Sequence, residues 1–378
     1  MRIAVIGPLE FPGRQGGMTR HIEEVYARLA SDGHDVTVFT HRALQGREYR
    51  GMRVQTVPAV PASPWDRMSY SALASTRAAA ARYDVVHYHS YSNSGWCFLP
   101  RAAGAEVLMT VHRLEWLDEK WGAVGRAVLR ANAWVTHRVA SAFIAVSPEF
   151  EGYLRGVVAP GRPIVRIPNG VTMPGEIDDH AAEHVGLAPD GFLLAVSRLV
   201  PEKGLDVLLD ALDRLGRDGG GNGREGGAAA LPVAVAGRAR NATPYSRDLE
   251  ARAARSQVPV HLLGVQPAAV VHGLYGSARA FVAPSRAEGN PLTVIEAMAH
   301  GACIVASDIP PHRELLGDAG VLVPVGDAGA LAEALRWVST DAAAARATGL
   351  RAQARLAASD EYQWDGVAAR TAEVLASL

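Results

Sequence analysis

The sequence predicts an α/β protein made of two doubly wound, Rossmann-like halves facing a cleft. Three observations predict it. The chain has 378 residues, 48% hydrophobic and 20% charged, more than one core comfortably organises. Short runs that are apolar throughout alternate with amphipathic stretches at helical spacing, the βαβ rhythm of strands covered on both faces. The rhythm ends and restarts near Val171, so the expected domains are residues 1–170 and 171–355, with a C-terminal helix over 356–378 returning to the first domain.

In the first half, IAVIG is a strand and a helix follows from about Thr19 to Ser31. Thr19 is the expected N-cap, Ile22, Val25 and Leu29 fall on one face, and Gly33 closes the helix. DVTVFT, a strand near MRVQTVP, and DVVHYHS come next. EVLMTVH and AFIAVS are separated by a helical region around Val124 to Arg138, and PIVRIPNGV closes the half. The second half runs FLLAVSRL, a helix from about Leu205 to Leu215, PVAVAG, VHLLG, a helix near Ala268 to Ala278, AFVAPS, a helix near Leu292 to His300, CIVASD and GVLVPV. The glycine-rich tract from Gly216 to Ala230 has no apolar anchor and reads as a floppy loop inside the second domain. A last alanine-rich helix is expected from about Ala330 to Leu378, broken near Ser359.

Composition excludes several classes of function. The 38 Lys and Arg residues against 39 Asp and Glu leave a formal charge of −1, without the global field that holds nucleic acid or an anionic membrane. Cys97 and Cys303 lie in different halves and suit neither a disulfide framework nor a zinc site, which fits a reducing compartment. The first apolar run stops at Gly7 without an export signal, and no run reaches the roughly 18 apolar residues of a bilayer span. The expected location is cytoplasmic, as a monomer or weak homodimer. Only Lys120 and Lys203 among the basic residues are lysine, which draws attention to each.

The sharpest local pattern is Glu288-Gly-Asn-Pro-Leu-Thr-Val-Ile-Glu296, after the strand AFVAPS and running into a helix. It places two carboxylates eight residues apart at the carboxyl end of a strand, where open α/β sheets bind ligands. The free N–H groups of Leu292 and Thr293 open the helix and suit a phosphate, while the carboxylates suit sugar hydroxyls. Asn290 with Pro291 is equally a good N-cap and N1 pair that needs no ligand. SRLVPEKG places Arg198 and Lys203 five residues apart, able to clamp a diphosphate or to be a solvated surface pair. The loop Phe11-Pro-Gly-Arg-Gln-Gly-Gly17 lets backbone approach a ligand, or is a turn. VFTHR lacks the acidic residue that would grip an adenosine ribose, so a nicotinamide cofactor is a poor reading. His87 and His89 form an HxH pair without a third metal ligand and are expected to line the cleft; His112 ends a buried strand before a polar loop and is either a site residue or a satisfied core histidine.

At these residues the chain resembles the retaining glycosyltransferases of the GT-B fold, family 4. The E-x7-E element is met by Glu288 and Glu296 within PSRAEGNPLTVIEAMAHGACIVASD, and GGMTRHIEEVYARLASDGHDVTVFT, DVVHYHS, TVH, AVSPEF, IPNGV and SRLVPEKG follow the family's order between Gly16 and Asp308. The resemblance implies that Arg198 and Lys203 bind the donor diphosphate, Glu296 the ribose, and Glu288 with Gly289, Asn290, Leu292 and Thr293 the donor sugar. It implies that Gly16 and Gly17 approach the phosphates, that His112 sits beside the transferring sugar, and that Asn169, Gly237 and Val265 belong to the donor site. The implied catalytic set is His112, Arg198, Lys203 and Glu288, with no metal, no cofactor beyond the nucleotide sugar, and UDP as the default donor base. Asn290 and Pro291 stand where the common family form has Phe and Gly, and AGRAR offers arginines near Gly237 where a second glycine is frequent. These departures touch donor-sugar identity and base recognition.

The acceptor, a small molecule or glycan, is expected at loops of the first domain: Arg14, Trp65 to Tyr70, His89 to Trp96 including Tyr91, and Arg113 to Trp121. Glu115, Asp118 and Glu119 suggest an amine on it, as in an aminocyclitol, or else form a solvated face. Rival classes are a nucleotide-sugar epimerase or phosphorylase-like enzyme, and a non-catalytic two-lobed binding protein.

Overall fold

The computed structural model describes residues 1–13, 16–60, 65–118, 121–175, 180–220, 230–239 and 241–378. Its contacts divide the chain into two units, Met1–Gly170 with Glu361–Leu378, and Val171–Asp360.

The first unit contains β1 (Arg2–Ile6), β2 (Glu10–Phe11), α1 (Gly17–Ser31), β3 (Asp35–Thr40), β4 (Arg42–Ala43), β5 (Glu48–Tyr49), β6 (Met52–Thr56), α2 (Trp65–Ala81) and β7 (Val85–His89). It continues with α3 (Tyr91–Ser94), α4 (Phe98–Ala102), β8 (Glu106–Val111), α5 (Ala123–Val139), β9 (Ala142–Ala145), α6 (Pro148–Val157) and β10 (Ile164–Arg166). Eight strands form one sheet in the order β10-β9-β8-β7-β1-β3-β6-β5, parallel throughout except where β5 turns back on β6. Parallel strands are buried on both faces, so β1 and β7 to β9 read as apolar runs. Within β7, His87 and His89 are as buried as the valines beside them.

The second unit holds α7 (Ala181–His184), β11 (Leu193–Val196), α8 (Leu205–Gly220), β12 (Val233–Ala236), α9 (Pro244–Ala253), β13 (Val260–Gly264), α10 (Ala268–Ser277) and β14 (Ala280–Ala283). It ends with α11 (Leu292–Ala299), β15 (Cys303–Ser307), α12 (Pro310–Leu316), β16 (Val321–Val323), α13 (Ala328–Thr340) and α14 (Ala342–Ala357). Its sheet runs β13-β12-β11-β14-β15-β16, all parallel. Leu205, Leu208, Leu209 and Leu212 form the buried stripe of α8 against it. The chain returns to the first unit as α15 (Trp364–Ala376), which packs on α1.

Five local expectations are corrected. α1 begins at Gly17 with Gly16 as N-cap, so Thr19 lies inside the first turn, buried, and caps nothing. α11 begins at Leu292 after Pro291, without a side-chain cap, so Asn290 does not cap it. The alanine-rich C-terminal segment is three helices: Asp341 ends α13 and caps α14 by accepting from the Ala344 amide at 2.9 Å, a local bond that competes with continuing the helix. Trp65 to Tyr70 is the first turn and a half of α2 and not a loop. Helix α8 extends through Gly220, so the expected loop loses its first five residues; 221–229 lie outside the described residues.

Candidate active site

The strand order of the second unit reverses between β11 and β14, a topological switch point, and open α/β sheets bind ligands at the carboxyl ends of strands there. The chain leaves β11, passes Arg198 and forms a single 3-10 turn at Pro201–Lys203. Gly204 ends that turn in the left-handed region at φ 63°, and a Cβ there would stand 1.9 Å from the Pro284 carbonyl oxygen. This close approach sets the loop after β11 directly on the loop after β14. Gly237, just beyond β12, does the same on the other side, since its Cβ would lie 2.1 Å from the Ser197 carbonyl oxygen.

Arg286 stitches the two loops together. Its guanidinium donates to Pro201 O at 2.7 Å and to both carboxylate oxygens of Asp206 at 2.8 and 2.5 Å, and its amide donates to Glu202 O at 2.8 Å. Tyr245 from α9 donates its hydroxyl to Asp206 Oδ1 at 2.8 Å. Sequence reasoning did not single out Arg286, Asp206 or Tyr245, because they lie 39 to 80 residues apart and no local spacing joins them.

The outcome is one contact. Lys203 Nζ donates to Glu288 Oε1 at 2.5 Å, with Ser285 Oγ donating to the same oxygen at 2.8 Å. Burial pushes the Glu288 carboxyl up, but the Lys203 ammonium, its hydrogen bond, the nearby His312 and the Ser285 hydroxyl outweigh this and hold it below the ordinary carboxylate range. The lysine side chain is 20% exposed and the carboxylate 12%, so both keep an open edge. An ammonium with three donors spends one on Glu288 and retains two. Arg198 is exposed, Gly289 and Thr293 are half-buried, and Val265 follows β13 at the surface. At the start of α11 the amides of Leu292 and Thr293 have no carbonyl within their own helix to bond, the arrangement that attracts an anion. One turn on, Glu296 Oε2 accepts from the buried Tyr275 hydroxyl at 3.2 Å. His312, also not anticipated, is fully buried beside this group; its Nδ1 donates to Ser307 O at 2.8 Å, and its Nε2 has no partner among the described residues.

The remaining sequence candidates lie in the first unit. Gly16 and Gly17 begin α1 and are exposed, and Glu23 reaches back to accept from the Gly13 amide at 2.7 Å. His112 follows β8 and is half-buried. Asn169 is buried with its Oδ1 at 3.0 Å from His21 Nδ1. Two acceptor expectations, and the expectation that His87 lines the cleft, are corrected by burial. His89 is wholly inside the sheet between Tyr26 and His112, Tyr91 is a core residue 2.9 Å from His137 Nε2, and His87 does not line a surface. The two described members of the carboxylate cluster are not a free acidic face either: Glu115 accepts from the Ser92 amide at 2.8 Å and Asp118 is ion-paired with Arg113. Trp96 is 37% exposed, while Arg14 and Glu119 lie outside the described residues. Among the described residues no group of three or more His, Cys, Asp or Glu is arranged to hold a metal, and no helix is long and apolar enough to cross a membrane.

Comparison with known proteins bears on this geometry. Residues 15–173 match the family described as Glycosyltransferase Family 4, and residues 191–341 the family described as Glycosyl transferases group 1. A D-inositol 3-phosphate glycosyltransferase of Frankia alni is 30% identical over 87% of both chains. The chain belongs to the family 4 glycosyltransferases. Sucrose-phosphate synthase of Thermosynechococcus elongatus superposes on this glycosyltransferase with a TM-score of 0.83 at 21% identity, covering 100% of this chain and 98% of that one. Anabaena HepE in complex with UDP and glucose gives a TM-score of 0.80 at 19% identity over the whole of both chains. The fold of this glycosyltransferase is therefore GT-B, with parallel α/β sheets.

Proposed function

We propose that this glycosyltransferase moves a hexose or amino-hexose from a nucleoside diphosphate sugar, UDP-linked by default, to a hydroxyl of a small polyol or glycan, with retention and without a metal. The observation that carries the reading is the Lys203–Glu288 contact at 2.5 Å on the switch point, a cation and a carboxylate held side by side where α/β sheets bind ligands. Lys203 and Arg198 meet the diphosphate together with the open amides of α11, Glu296 accepts from the ribose hydroxyls, and Glu288 with Gly289 accepts from the sugar. Gly237 and Val265 border the nucleotide, and Gly16, Gly17, Asn169 and His112 serve the donor from the first unit.

Catalysis on this reading is positioning and electrostatics. As the bond from sugar C1 to phosphate loosens, charge grows on the leaving phosphate beside fixed cations and helix amides that need no reorganisation. The departing phosphate takes the acceptor's proton, which delivers the new bond on the same face of the sugar. A cyclitol without an amine is the acceptor best supported. Of the carboxylates that suggested an amine, Glu115 and Asp118 are buried and partnered, and the Frankia alni relative is named for inositol 3-phosphate.

The test is nucleotide release from UDP-, GDP-, ADP- and dTDP-hexoses, with and without neutral and amino cyclitols, in buffer containing EDTA, followed by NMR of the product's anomeric configuration. Acceptor-dependent release with retained configuration is expected. Thermal stabilisation without turnover would point to a binding protein, a changed sugar without acceptor to an epimerase, and rescue by added magnesium would refute metal independence.

A further inference from the structure

Five side chains of the first unit form an unbroken line of hydrogen bonds, buried as far as its last member, the half-buried His112. Thr110 Oγ1 lies 2.7 Å from His87 Nε2, and His87 Nδ1 meets the Tyr26 hydroxyl in a short contact. That hydroxyl lies 3.1 Å from His89 Nε2, and His89 Nδ1 lies 2.9 Å from His112 Nε2. The local folding explains the line: residues two apart on a strand share a face, so His87 and His89 of β7 stack with ring centroids 4.4 Å apart. The parallel register sets His89 opposite Thr110, and Tyr26 arrives from the buried side of α1. His112 Nδ1 makes no hydrogen bond among the described residues.

The direction of this line follows from its closed end. Thr110 is fully buried, and among the described residues its hydroxyl has one partner, His87 Nε2. Donating there satisfies its O–H, whereas accepting would bury that proton unbonded, at about 1–3 kcal/mol. A neutral imidazole carries one N–H and one lone pair, so each ring hands the direction to the next. Burial holds His87, His89 and His112 neutral, well below the ordinary histidine range. His87 Nδ1–H donates to Tyr26, the Tyr26 O–H donates to His89 Nε2, and His89 Nδ1–H donates to His112 Nε2. The His112 proton is left on Nδ1.

We propose that the line from Thr110 through His87, Tyr26 and His89 locks His112 in the Nδ1–H tautomer, so that it offers the bound sugar a hydrogen-bond donor and cannot act as a base. The inference rests on the reading that His112 sits beside the transferred sugar. Thr110, His87, Tyr26 and His89 are then positioning residues, and the site favours a donor sugar that presents an oxygen to His112.

Long-range ¹⁵N NMR of the ring nitrogens tests the lock in the free protein without any turnover. Wild type and Thr110→Ser are expected to show His112 protonated at Nδ1 and bare at Nε2. Thr110→Val and Tyr26→Phe, which cut the line at its end and its middle, are expected to give a mixture of both tautomers. In the same variants kcat/KM for the sugar donor falls about tenfold, the value of one hydrogen bond, while the Kd of the free nucleoside diphosphate stays within twofold of wild type. Wild-type His112 protonated at Nε2, or a tautomer unchanged in both cut variants, overturns the proposal. The wild-type spectrum decides even if a variant fails to fold. Absence of sugar transfer by wild type overturns the functional reading and leaves the spectroscopic result standing.

Discussion

Gly204→Ala tests whether the spacing between two loops, and not merely their residues, makes the site. Gly204 has φ 63° and its added Cβ would stand 1.9 Å from Pro284 O, a separation that real Cβ atoms do not show below 3.0 Å. The loops must therefore part by roughly 1 Å, and the 2.5 Å Lys203–Glu288 contact stretches beyond hydrogen-bond range. A misplacement of about 1 Å costs on the order of 100-fold in rate, which is the expected fall in kcat/KM. Left-handed backbone adds about 1–2 kcal/mol of lost stability. Gly326→Ala is the control, since Gly326 has φ 77° with nothing within 4 Å of an added Cβ, so it carries the backbone cost alone. Acceptor-dependent nucleotide release measures activity, and urea unfolding measures stability. Equal activity in the two variants would refute the reasoning.

Three further outcomes are expected. Lys203→Ala lowers kcat about 100- to 1000-fold, as losing one preorganised charge does, and activity within a few fold of wild type would remove the lysine from the mechanism. Arg286→Ala frees both loops from Asp206 and lowers kcat/KM about tenfold with the fold intact by circular dichroism; Arg286→Lys fails to restore it, because an ammonium lacks the planar fork. Stability falls as pH drops from 6.5 to about 4, because burial holds His21 near 4 against the partial support of Asn169, and holds His137 near 4 as well. In that window the unfolded chain takes up protons that the folded chain refuses, so His21 alone withdraws about 3 kcal/mol, and above 6.5 nothing more is gained. A urea midpoint that is the same at pH 7 and pH 4.5 would contradict this.

How far the sequence could be read depended on whether the deciding interaction was local. Strands such as those of β1, β8 and β14 were legible because burial on both faces leaves apolar runs. The start of α1 was misplaced and Asn290 misread as a cap of α11, whose start at Leu292 was legible, because Thr19 and Asn290 have the right side chains for capping while Gly16 and Pro291 take the cap position by backbone geometry. Helix α2 went unread since its buried stripe, Tyr70, Ala74 and Ala78, is made mostly of small residues that mark a face weakly. At the candidate site, Lys203 stood out by its rarity and Glu288 by its spacing from Glu296, but the Arg286–Asp206–Tyr245 clamp joins three separate elements and leaves no periodic trace. The HxH pair was visible and misjudged: its placement depends on Tyr26 and Thr110, contributed by a helix and a strand elsewhere in the chain.

On the proposed reading, the choice of lysine at position 203, in a chain that uses arginine almost everywhere else, follows from the different tasks of the two cations of this site. Arg286 holds Asp206 through a planar fork with two parallel bonds, a geometry that resists rotation and suits a permanent stitch between loops. Lys203 holds Glu288 through a single oxygen, which Ser285 also supports, so the ammonium can rotate without unmaking the loop. A guanidinium there would be captured by both oxygens of Glu288, as Asp206 captures Arg286, and its charge would be committed before any anion arrived. Rigid arginine sets the distance between the loops, and compact lysine keeps its charge available across it.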